Sequence, residues 1–199
     1  MANADRPHGF KPIGTLTGVP WNAATRTYSV ASGNGTAIFP GDAVTLASDG
    51  TVTPAAAGGI ILGVCVGVLP TVVDEFGVSG YHAALNLQRS YLPASTAGTI
   101  LVAVGPDILY EVQEDSDASN LALADVGANV DHIAGAGSTT TGVSAHELDS
   151  STVTSAGSAG FRLVAKVNSP DNAVGTNCKW IVRLNPFNAE SHFATTNGI

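Results

Sequence analysis

Short β-branched runs, closely spaced turn residues and few helix formers predict an all-β protein. The expected architecture is a β-sandwich or barrel-like body, jelly-roll or tulip-like, with an extended N-terminal arm and little helix. Of the 199 residues, 23 are glycine and only 12% are charged. That charged share is about half the usual one, and Glu, Lys and Arg are the residues that clothe surface helices. Small and β-branched residues suit pleated strands joined by long turns. About ten to twelve short strands are expected, at the turn spacing of a sandwich or barrel.

In chain order, a first strand is predicted over residues 25–30, with Tyr28 and Val30 on one face. A short strand follows over 43–46 and returns over 51–53. The Asp49-Gly50 pair between them suits a tight turn with positive φ. Residues 60–68 read IILGVCVGV and are the expected principal core strand. Gly63 and Gly67 within it would mark bends or close backbone approach. Residues 70–80 read as a loop, and 81–93 as strand or short helix.

Two more strands are expected over 99–104 and 108–112, around Gly105-Pro106-Asp107. An acidic loop at 114–120, one helical turn within 121–126 and a Gly/Ser/Thr bridge at 135–142 come next. Strands follow over 144–148, 161–167 and 179–184, the last with Trp180, Val182 and Leu184 on one face. The domain reading is an N-terminal arm and loop over 1–24, a single β-rich body over 25–184 and a polar tail over 185–199.

The start of the chain, MANADRPHGFKPI, carries two prolines five apart. Pro7 and Pro12 fix their own φ, lack an N–H and push Arg6 and Lys11 away from helical backbone. The segment is therefore neither helix nor central strand. Phe10 is its one large apolar side chain, and it either grips a neighbour or folds onto the chain's own core. The neighbour is favoured, with Arg6, Pro7, Phe10, Lys11 and Pro12 as the contacting residues. On that basis, removal of residues 1–12 should leave the body folded.

Eight Lys and Arg stand against sixteen Asp and Glu, a net charge of −8. The basic residues are scattered along the chain, so no phosphate-neutralising patch is expected and nucleic acid is not an expected partner. The apolar runs are too short and too often broken by glycine to span a membrane. No signal peptide is read at the start of the chain, so synthesis in a cytoplasm is expected. Cys65 lies in an apolar run and reads as a buried small hydrophobe; a disulfide to Cys178 is not favoured.

Tests for chemistry return little. The five histidines, His8, His82, His132, His146 and His192, lack the spacing of a zinc site. Asp115, Asp117 and Ser119 resemble the start of a calcium loop. Asn120 then stands where such a loop needs Gly, and Val126 where it needs a bidentate Glu. A solvated acidic loop is the expectation. No nucleophile elbow, phosphate loop or dinucleotide fingerprint occurs. The chain is therefore expected not to be an enzyme and to carry no cofactor and no metal.

Several stretches taken together resemble the capsid decoration, or cement, proteins of tailed bacteriophages. Met1-Ala2-Asn3 and Asp5 are followed by Pro7-His8-Gly9-Phe10-Lys11-Pro12. Tyr28 to Gly33 matches a Tyr-x-Val-Ala-Ser-Gly strand, and Ile38 to Val44 matches Ile-Phe-x-Gly-Asp-x-Val. Ile61-Leu62-Gly63-Val64, Asp125-Val126-Gly127-Ala128-Asn129, Glu147-Leu148-Asp149-Ser150-Ser151 and Asn168-Ser169-Pro170-Asp171-Asn172 continue the resemblance.

The resemblance implies a non-enzymatic, mostly β, commonly trimeric protein on the exterior of a virion. Such a protein is made in the host bacterial cytoplasm and bridges neighbouring major capsid proteins at three-fold positions. The major capsid protein and copies of itself are the implied partners. The alternative from another class is a β-sandwich carbohydrate-binding or host-adhesion module, which would want exposed aromatics; Trp21 and Trp180 are the only tryptophans.

Overall fold

The computed structural model describes residues 3–70 and 90–186. Those residues form twelve strands: β1 (Lys11–Thr15), β2 (Arg26–Val30), β3 (Ala43–Leu46), β4 (Val52–Pro54), β5 (Gly63–Pro70), β6 (Gly98–Ala103), β7 (Ile108–Gln113), β8 (Asn129–Val130), β9 (His132–Ile133), β10 (Glu147–Leu148), β11 (Phe161–Lys166) and β12 (Lys179–Leu184). Helix among them is limited to single 3-10 turns at Leu123–Asp125 and Ser150–Thr152. The expected strands at 43–46 and 179–184 are found at those bounds, and the expected helical turn falls within 121–126. The principal core strand begins at Gly63 rather than at Ile60. Most of the ambiguous stretch at 81–93 lies outside the described residues, as does the tail from 187 onward.

The strands build two antiparallel five-stranded sheets. The first has the order β1-β7-β12-β11-β8 and the second β2-β6-β5-β3-β4, while β9 and β10 form a separate two-stranded ladder. Neither large sheet closes into a barrel. In the second sheet the edges β2 and β4 approach one another without a hydrogen-bonded ladder.

Strand periodicity sets the cores, because successive side chains point to opposite faces. Tyr110 and Val112 on β7, Phe161 and Leu163 on β11, and Trp180, Val182 and Leu184 on β12 are all buried in one cluster. Ala43, Val64 and Ala103 of the second sheet enter the same cluster. The Tyr110 hydroxyl donates to the Ala103 carbonyl at 3.1 Å, tying one sheet to the other. On the second sheet's other face, Val30, Val44, Val52, Cys65, Ile100 and Val102 form a second core, capped by Ile38 and Leu92. Both thiols are free and buried, and burial pushes the Cys65 thiol up to about 12.

Two expectations about glycine hold. A side chain at Gly63 would collide with the Ala103 carbonyl of the paired strand. Gly67 follows a register shift in the β5–β6 pairing, so it sits at a bulge. Asn185 is a correction, since the polar tail was expected to be loose from this residue. It is buried, and its amide donates to the carbonyls of Gly157 and Ala159.

Candidate functional site

Residues 3–15 lie along the chain's own body. Asn3 donates to the carbonyls of Ala173 and Thr176 and accepts from the Ala173 N–H. The Arg6 N–H donates to Gln113 Oε1 at 3.0 Å, and the Phe10 N–H to the Gly41 carbonyl at 2.9 Å. From Lys11 the chain becomes the edge strand of the first sheet, pairing Lys11 with Glu111 and Pro12 with Tyr110. An edge is where proline's missing N–H is tolerated, and the ladder shifts register just after Pro12.

Phe10 corrects the expectation of a peg in a neighbour. It is 1% exposed, stacked on Phe161 with ring centroids 4.1 Å apart and set edge-on to His132. Burial of that ring in its own core leaves nothing for a partner to receive. Of the other arm residues, Arg6 and Lys11 are exposed, while Pro7 and Pro12 are half-buried. Gly9, with φ +69°, turns the chain so that Phe10 can enter; any side chain there would meet the Gly41 carbonyl and Ser144.

What the segment does present lies beyond β1. The Thr15 N–H donates to the Val19 carbonyl and the Gly18 N–H to the Thr15 carbonyl, closing a tight turn. That turn holds Leu16 and Val19 outward at 47% and 56% exposure, beside the exposed Ile13. Next to it opens a cleft of about 550 Å³ lined by His8, Lys11, Pro12, Trp21, Glu111 and Lys179, among others. Glu111 Oε1 lies 3.7 Å from both His8 Nε2 and Lys179 Nζ. Burial lowers the His8 pKa despite the Glu111 carboxylate.

Under the segment is a polar cluster that chain spacing did not reveal. His132 and His146 stack with centroids 5.3 Å apart, and His146 Nε2 stands 3.6 Å from Asp42 Oδ1. All three residues are buried. His146 Nδ1 accepts from the Ala43 N–H, and Asp42 Oδ2 accepts from the Phe39 N–H. Burial lowers His146 to about 3, helped by neighbouring His132, and lifts Asp42 to about 6. Ser144 adjoins the group and is 1% exposed. A Ser, a His and an Asp thus converge, all of them buried.

The acidic loop is exposed over 116–120, as expected, and is anchored by the buried Glu114 and Asp115. Asp115, Asp117 and Asp149 bring carboxylate oxygens within 4.8 Å of one another, the only group among the described residues with metal-holding geometry. The Ser150 hydroxyl lies 2.6 Å from Asp115 Oδ1 and 3.1 Å from Asp117 Oδ1, bridging the like charges. Asp115 is 7% exposed, and burial raises its pKa.

The scatter of basic residues along the chain does not survive folding. Register places Lys11 beside Glu111, Glu111 beside Ile181, and Arg183 between Leu109 and Arg162. Lys179 pairs with Gln113 in the same alternation. These residues occupy the face of the first sheet opposite Tyr110, Trp180 and Phe161.

Compared with models of protein families, with curated proteins and with solved structures, the chain matches none.

Proposed function

We propose that this is a non-enzymatic structural protein of a tailed-phage head. It binds the outer surface of the capsid, bridges neighbouring major capsid proteins at three-fold positions as a homotrimer, and stabilises the shell. The resemblance of its ordered turn and strand motifs to decoration proteins supports the class of partner. The observation that carries the contact is the turn after β1, where Leu16 and Val19 project from a base held by the pairing of Thr15 with Ile108 and by the Leu16 N–H on the Asp107 carbonyl. Repetition over a shell turns a modest apolar contact into avid attachment. The body is read as sandwich-like, because one core takes side chains from both sheets. Its second sheet is read as barrel-like although it does not close, because one of its faces packs a second core.

The test is on purified heads. The protein should co-purify with them at a copy number tied to capsid symmetry, and its absence would sink the proposal. Leu16→Asp with Val19→Asp should lower occupancy at least tenfold while leaving the melting temperature unchanged. Unchanged occupancy would remove the turn from the interface. The carbohydrate-binding alternative draws on one feature, Trp21 beside the 550 Å³ cleft. Clear signal on a glycan array, lost in Trp21→Ala, would promote it.

A further inference from the structure

We infer that the outer face of the first sheet is a docking surface for a carboxylate-rich protein surface. Lys11, Arg162, Lys179 and Arg183 converge there, half of the eight basic residues in a chain of net charge −8. Glu111 is the one acid that β1, β7, β11 and β12 place on it. At the Lys179 end of the face, Asp5 and Glu147 both reach Gln113 and Asp171 lies close to Lys179, so the unneutralised charge is that of the two arginines.

Arg162 and Arg183 are directly opposed across β11 and β12. Like charges in that position repel, and among the described residues neither guanidinium is in an ion pair. An anionic partner relieves that repulsion. Leu109 and Ile181 lie between the cations. Arginine is enriched at protein interfaces, and here two arginines stand beside aliphatic side chains. A duplex backbone is held by many phosphate contacts, and only four cations stand here, around a carboxylate. Opposite charge on this face and on the rest of the surface would also orient the molecule as it approaches.

The identity of the partner as a capsid rests on the proposal above; the chemistry of the face does not. Immobilised poly-L-glutamate is the carboxylate probe and a duplex DNA oligonucleotide the phosphate probe. Wild-type protein should bind polyglutamate at low salt and release as salt rises. Arg162→Glu with Arg183→Glu should weaken binding at least tenfold, and Arg26→Glu on β2 should not. Arg183→Gln guards against misfolding, since relief of the repulsion should keep or raise the melting temperature while binding still falls.

Failure to bind polyglutamate, equal binding by the double variant, or tighter binding to the duplex overturns the inference. So does self-association in sedimentation that the double variant abolishes, which would make a second copy the occupant. Heads stripped of the protein separate the two proposals. Wild-type protein that binds polyglutamate but no heads sinks the capsid reading alone; wild-type and double variant binding heads equally sinks the face.

Discussion

Phe10 shows how much one side chain can redirect. A lone aromatic between two prolines looks like a hook thrown outward, but its ring lies flat on Phe161. Replacing it with alanine removes most of a buried aromatic and leaves a cavity. The expected cost is about 3–5 kcal/mol, read as a lowered urea midpoint. A loss below about 1 kcal/mol would mean that the ring leaves the core in solution. Gly9, at φ +69°, makes the inward turn, but a glycine in the sequence does not say which way the next residue points. Phe161, on which the ring rests, stands too far along the chain for any local pattern to pair them.

At the scale of elements, β1 makes the arm part of the body. Residues 1–12 include Phe10 and the first two residues of the edge strand. Deleting them should therefore destabilise the protein, contrary to what two prolines and an exposed-looking arm suggest. The expected result is a drop in melting temperature and faster proteolysis. A deletion variant as stable as wild type would return residues 1–12 to the role of a free tether. Strand positions were legible because alternation and turn chemistry act between near neighbours: Asp49-Gly50 turns β3 into β4, and Trp180, Val182 and Leu184 share the buried face of β12. The two-residue strands β8 and β9 were not legible. Too short to show a period, they exist because β11 and β10 lie beside them.

Across the whole molecule, buried titratable groups set opposing responses to acid. His146, lowered to about 3, binds fewer protons folded than unfolded between there and its ordinary 6.5. Its contribution to stability is thus lost as pH falls through that window. Buried and half-buried carboxyls work the other way. Asp42 is raised to about 6, and Glu114 and Glu147 to about 7, each chiefly by burial. Folded protein therefore binds the extra protons, and these groups favour folding as pH falls from about 7 toward their ordinary values. Urea midpoints from pH 8 to 4 should fall more steeply with acid in Asp42→Asn and less steeply in His146→Gln. Parallel profiles for both variants and wild type would refute a role for the cluster in acid response.

From the sequence alone came the all-β class, most strand positions, the turns between them and the buried character of Cys65 and Trp180. All are consequences of side-chain size and two-residue periodicity, which act within a few positions along the chain. Only the tertiary structure decided that Phe10 belongs to the core, that His132, His146 and Asp42 meet beneath it, and that Lys11, Arg162, Lys179 and Arg183 share a face. Strand order and register make those encounters, pairing residues as far apart in the chain as Lys11 and Glu111. No local pattern of charge or hydropathy encodes which strands become neighbours.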